Sequence, residues 1–200
     1  MENTDIQSNV SNLELYTDLH PFRLALRISN FENEAAYKKF IKNCEMLVRR
    51  CNEYGLWRKY ILDVLQADHC MITNESNNQV TVEIHHHVPS LYILVTSLIN
   101  KQLDDEKEFC SFDIAQQAIQ LHYENRIGYV MLLRSMHEKF HNGHLDIPIS
   151  FVRGNYNHFL ETYSRYLDEP DLDKLQARLA INETNVSWSR DDYPAATGVN

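Results

Sequence analysis

Two groups of histidines carry the chemistry this sequence can do. Three are consecutive, in Glu83-Ile84-His85-His86-His87-Val88-Pro89, and a second pair sits four residues apart in His137-Glu138-Lys139-Phe140-His141. A neutral imidazole can ligate a divalent ion or take a proton from water. In a helix, positions i and i+4 share a face, so His137 and His141 can reach one ion together. In a strand, successive side chains alternate, so His85 and His86 can divide two jobs between them. One of the two can then face an ion and the other an attacking water, and His137 and His141 can complete a three-histidine metal site with coordination positions left open.

The run His137-Glu138-x-x-His141 also meets the bare zinc-peptidase pattern. That reading needs a third ligand. No residue downstream on a matching helix supplies one, and His144 is close but poorly placed, so a zinc peptidase is the less favoured reading. Gly154 stands alone, without a glycine-rich run or lysine, and makes no phosphate loop. His20, His69, His144 and His158 read as structural or surface residues, and His122 mainly so. Tyr156, Tyr163 and Tyr166, at helical spacing, read as core contacts.

These groups need elements to position them. Asn33 opens a helix whose apolar stripe Tyr37, Phe40, Ile41, Cys44, Leu47 and Val48 runs to about Glu53, with Gly55 as the expected break. A second stripe, Leu56, Trp57, Tyr60, Ile61, Val64 and Leu65, follows. Cys70–Thr73 and Val80–Ile84 read as a β-hairpin around the polar turn 74–79. Helices are expected over Leu91–Lys101 and Asp113–Tyr123. Tyr129–Leu133 is a short strand or the approach to a helix, and Met136–His141 is a helix capped by Ser135 and stopped at Gly143. Leu145–Val152 reads as a connector, and Tyr156–Leu167 and Leu172–Leu179 as further helices. Residues 1–12 read as frayed, Leu13–Ile28 as leading into a brief helix, and the tail from Asn182 as loose. The fold class is α+β: a mostly helical chain around a small strand-strand-helix core. Its expected parts are a helical region over 1–68, the core with a helical insertion over 69–144, and a helical extension with its tail over 145–200.

A chain of 200 residues with 44% hydrophobic residues can bury a good core. Its formal net charge of −9 argues weakly against a broad nucleic-acid-binding surface, but basic residues gather between Arg23 and Lys59. Lys38, Lys42 and Arg49 in that run, with Arg126 and Arg134 nearer the histidines, are candidate phosphate contacts. Cys44, Cys51, Cys70 and Cys110 form no Cys-x-x-Cys pair and suggest neither a zinc knuckle nor a disulfide scaffold. The start lacks the features of a signal peptide and no run is long enough to span a membrane, so a cytoplasmic setting is expected.

The order of these motifs resembles the His-Asn-His (HNH), or ββα-metal, endonucleases. Val82-Glu83-Ile84-His85-His86 is similar to the family's first strand and histidine pair. The stretch from Asn125 through Arg126-Ile127-Gly128 to Leu133 is similar to its asparagine segment. His137 to Gly143 is similar to the closing helix, in the variant with two metal histidines. The resemblance covers Cys70 to Gly143. It implies one divalent ion (Zn, Mg, Mn or Ni) on His85, His137 and His141, His86 as base, and Asn125 orienting that base or its loop; a second register of the same resemblance makes His86 the ligand and His87 the base. It further implies metal-dependent cleavage of phosphodiester bonds in nucleic acid, DNA first, with low base specificity. A phage or mobile-element origin follows, with the host cytoplasm as the setting. The alternative is a catalytically silent, metal-stabilised module that binds nucleic acid or protein, and a homodimer is compatible with either. The sequence departs from the compact family pattern in placing two helices between the histidine triplet and Asn125.

Overall fold

The fold is given by a computed structural model that describes residues 28–76 and 80–186. The expectations for residues 1–27, and for the end of the tail from residue 187, lie outside the described residues.

Helix α1, Glu34–Arg50, starts where expected. The Asn33 side chain accepts a hydrogen bond from the Ala36 N–H at 2.9 Å, Glu34 lies in the first turn, and Arg49 and Arg50 lie in the last, where each charge suits the helix dipole. The break comes at Cys51, four residues before Gly55. Cys51 takes an extended conformation, and its sulfur accepts from the Tyr54 N–H at 3.4 Å, which starts α2, Asn52–Lys59. Gly55 therefore lies inside a helix. A π-helical turn, Tyr60–Val64, extends α2. Trp57 and Ile61 face the core, while Leu56, Tyr60, Val64 and Leu65 stay exposed, so only part of the second stripe is buried.

The sheet corrects the hairpin expected at Cys70–Ile84. Strand β1, Val82–His86, pairs antiparallel with β2, Tyr129–Leu133, with Val82 opposite Leu133 and His86 opposite Tyr129. Cys70–Thr73 closes on itself as a turn: the Cys70 N–H donates to the Glu75 carbonyl and the Asn74 N–H to the Cys70 carbonyl, both at 2.8 Å. It meets the sheet through the Met71 N–H, which donates to the Met131 carbonyl at 2.9 Å. The physical reason lies in β2, whose residues are all buried and apolar and need cover on both faces.

Two helices fill the span between the strands. Helix α3, Leu91–Asp104, is capped by the Ser90 hydroxyl on the Ile93 N–H, and α4, Ser111–Tyr123, by the Asp113 carboxylate accepting from the Cys110 N–H at 2.8 Å. Both pack with α1. Gly128 ties the histidine triplet to the second strand. Its N–H donates to the Val88 carbonyl at 2.7 Å and its own carbonyl accepts from the His87 N–H at 3.1 Å. A Cβ at this position would stand 2.4 Å from the Val88 oxygen, so the approach requires glycine.

Helix α5, Arg134–His141, follows β2 directly. Leu133, rather than Ser135, precedes it, and Gly143 ends it at a φ of +72°. Helices α6, Tyr156–Tyr163, and α7, Glu169–Leu179, complete the described chain, the latter capped by Asp168. The result is α+β, mostly helical, with one two-stranded antiparallel sheet among the described residues. One hydrophobic cluster runs from Phe40 of α1 to Leu175 of α7.

Candidate metal centre

Strand β1 and helix α5 pack against each other through the face of the sheet that carries His85. Here the helical spacing of His137 and His141 meets the strand. His85 Nδ1 and His141 Nε2 each lie 2.9 Å from His137 Nε2, and the three ligand atoms lie within 4.8 Å of one another. Nitrogens at about 2.0–2.1 Å from a tetrahedral ion stand roughly 3.4 Å apart, so the rings are close enough to share one ion after small side-chain adjustments. His85 is buried, His137 half-buried and His141 exposed, so one side of the cluster opens to solvent.

Glu83, two residues before His85 and therefore on the same face of β1, supports the set. Its carboxylate accepts from His137 Nδ1–H at 2.6 Å. An ionised carboxylate can only accept, so the Nδ1 proton is fixed and the Nε2 lone pair is turned towards the other two rings. Carboxylate-backed histidine is the usual outer support of a metal ligand. Burial first, then the neighbouring histidines, push His85 well below the ordinary histidine range. Burial, His137 and Arg178, in that order, push His141 down. Both rings are thereby kept neutral and able to ligate. The donor set of three imidazoles fits zinc, nickel or another transition metal and fits magnesium poorly, since magnesium seeks oxygen ligands.

His86 is on the other side. The strand alternation turns it away from the triad into the interior, where it is 4% exposed. Its ring stacks on Tyr54 and Trp57, with centroids 5.9 and 6.1 Å away. Its Nε2 lies 2.7 Å from His122 Nε2, and His122 Nδ1–H donates to the Ala118 carbonyl at 2.6 Å. With Nδ1 of His122 occupied as a donor, its Nε2 accepts and His86 Nε2–H donates. The expected base is thus committed to an internal hydrogen bond on the face opposite the metal ligands. Burial holds His86 far below its ordinary range and brings His122 down to about 4.

Nor does His87 stand at the triad. It is fully buried and its ring packs on Phe140, with centroids 5.3 Å apart. Neither ring nitrogen makes a well-formed hydrogen bond, and the nearby Ile147 carbonyl gives its charged form little support against burial and the charge of Arg178, which bring it down to about 3.

The family described as bacteriophage G278-like virion protein matches residues 2–192. The chain belongs to that family. No curated protein and no solved structure matches it. The phage connection drawn from the endonuclease resemblance has support in this family, whose description names a virion protein and no nuclease.

The remaining candidates of this virion-family chain are spread out. Asn125 is a turn residue at φ +55°, a conformation asparagine tolerates. Its N–H donates to the His122 carbonyl at 3.0 Å and its carbonyl accepts from the Asn155 N–H at 2.8 Å, so it ties the end of α4 to the start of α6 and makes none of the hydrogen bonds of the triad. Arg126 pairs with Glu124, and Arg134 with Glu138 across one turn of α5. Lys38 pairs with Glu34, and Lys42 and Arg49 are exposed on α1. Glu83 and Arg178 escaped the sequence reading, while His122, expected mainly as a structural residue, is one. Glu83 was visible as an acid two positions from His85, which places it on the same strand face. His122 became a partner only once α4 was packed on β1. Arg178, described below, left no signal beyond one basic residue near a helix end.

Proposed function

We propose that this virion-family protein holds one divalent transition-metal ion on His85, His137 and His141 and hydrolyses phosphodiester bonds of nucleic acid, DNA first, with little base specificity. The observation that carries the reading is the convergence of three imidazoles from β1 and α5, in strand-strand-helix order, with Glu83 behind His137 and one side open to solvent. An ion bound there would act as a Lewis acid on a phosphoryl oxygen. His137 is held in the ligating tautomer by Glu83. His86, bonded to His122 on the other face of β1, is not the proton acceptor in this reading. Glu138, beside His137 on the exposed side of α5, is the carboxylate at hand, and Arg134 holds it at 3.2 Å. Arg126, Arg134, Lys38, Lys42 and Arg49 remain candidates for backbone contacts, which would position phosphate without reading sequence. The host cytoplasm, where phage particles assemble, is the proposed setting.

A second reading is a catalytically silent, metal-stapled module that binds protein or nucleic acid within a particle. The virion description of the family and the sealing of His86 inside the fold favour it. The zinc-peptidase reading gains the third ligand it lacked, His85, and would use the same Glu138.

One panel decides. Metal-loaded wild type and Glu138→Gln are assayed on plasmid, single- and double-stranded oligonucleotides, RNA and a peptide library, with bound metal measured in parallel. Metal-dependent nucleic-acid cleavage that falls about 10²–10⁴-fold in Glu138→Gln at unchanged metal content supports the hydrolase. No cleavage with Zn²⁺, Ni²⁺, Mn²⁺ or Mg²⁺ leaves the silent module, and peptide hydrolysis moves the assignment to a peptidase.

A further inference from the structure

Helix α7 lies outside the strand-strand-helix core, yet Arg178 reaches from it to the metal helix. Its Nη1 donates to the His87 carbonyl at 2.8 Å, and its guanidinium carbon sits 5.5 Å from the centroid of the Phe140 ring. That ring packs edge-on against His85 at 4.8 Å and lies 5.6 Å from His141. The cation thus stands one aromatic ring from two of the three imidazoles. Its charge is felt at His87 and at His141.

The surroundings of Arg178 do not balance it. A guanidinium offers five N–H donors. Among the described residues the His87 carbonyl is its one hydrogen-bond acceptor, and no carboxylate pairs with it. Lys174, one turn earlier on α7, has Asp171 at 2.7 Å. Arg178 is also half-buried, and burial alone lowers its pKa. A half-buried cation with no carboxylate partner carries a desolvation cost, and the carbonyl bond and the stacking on Phe140 offset only part of it. An anion would offset the rest. The planar fork matches the oxygens of a phosphate in a two-point contact.

We propose that Arg178, beside the metal centre, is a phosphate-binding residue, its guanidinium holding a phosphate group of the nucleic-acid substrate next to the three-histidine site. The inference rests on the phosphodiester reading and adds a residue from the C-terminal extension to that site. It also gives the extension a task, since removing α7 would leave the triad with a weakened hold on its anionic substrate.

The test is titration of inorganic phosphate into metal-loaded full-length protein, freed of excess ion and held at constant ionic strength, for wild type, Arg178→Lys and Arg178→Met. Metal content is measured on the same samples. The expected result is loss of phosphate affinity by tenfold or more in Arg178→Met, a smaller loss in Arg178→Lys, and one ion per chain throughout. Equal affinity in wild type and Arg178→Met, or no phosphate binding by wild type, overturns the proposal. Should Arg178→Met fold poorly or lose its ion, the guanidinium ¹⁵N resonances of wild type decide: a shift on adding phosphate, missing from Arg178→Lys, supports the contact, and unmoved resonances refute it. Failure of the two readings is separable. Phosphate binding through Arg178 without cleavage keeps this residue's role and removes hydrolysis. Cleavage with undiminished phosphate affinity in Arg178→Met does the reverse.

Discussion

His85 and His86 are neighbours on one strand and live in opposite worlds. His85 faces α5, where His137 and His141 gather on a side open to solvent and Glu83 fixes a tautomer. His86 faces α2 and α4, where Tyr54 and Trp57 enclose it and His122 accepts its hydrogen bond. The same side chain is offered to an ion on one face and used as an internal strut on the other. A two-residue period does this with no change of sequence type, because the strand separates two packing environments. The lesson is that adjacency in a motif does not put two groups in one cleft; what covers each face decides.

If the comparison is right, damage to the two faces has separable consequences. The largest effect falls on the enclosed face. Trp57 is 4% exposed and touches His86, His122 and Tyr129, so Trp57→Ala should lower stability by about 3–5 kcal/mol in urea unfolding. The folded fraction should still bind one metal ion per chain, and an intact stability with lost metal would invert the comparison. On the open face, Glu83→Gln removes the charge behind His137. Metal affinity should fall about 10–100-fold by competition with a chelator, while stability of the metal-free protein changes little. Unaltered affinity would mean that Glu83 contributes nothing to ligation.

Acid should act more gradually, through one buried histidine on each side of β1. The folded-state values of His122 and His87, about 4 and about 3, lie below the unfolded value of 6.5. The unfolded chain therefore binds more protons as pH falls below that value. The contribution is fully present above pH 6.5 and is lost as pH drops towards the folded values, by at most about 1.4 kcal/mol per pH unit for each histidine. Urea unfolding of metal-free protein at pH 7.5, 6 and 5 should show this decline. A flat profile would require that these rings be open to water.

Much of the frame was legible in the sequence because its cues are local. The stripe and Asn33 cap of α1 depend on residues within one element, and so does the i, i+4 pair of α5. The residues of β1 were also legible, but its partner was not. Strand pairing is decided by what needs burial, and Tyr129–Leu133 competes from beyond two helices, whereas the reading joined β1 to the nearer Cys70–Thr73. Cys51 acted as a break and a cap in place of Gly55, since a sulfur seldom announces a helix start. The three metal candidates came together as expected. Alternation also predicted that His85 and His86 would diverge, but only packing could reveal that the second face is interior. Arg178 and His122 are products of tertiary contact, and no spacing rule reaches across from α7 or α4 to β1.

The most direct measurement is metal stoichiometry by native mass spectrometry with elemental analysis on wild type, His85→Ala, His137→Ala, His141→Ala and, as the internal control, His86→Ala. The account predicts one zinc or nickel ion per wild-type chain, loss of stoichiometric binding in each of the first three variants, and retention in folded His86→Ala. A wild type that binds no ion, or a folded triple variant of His85, His137 and His141 that binds as wild type does, would contradict it.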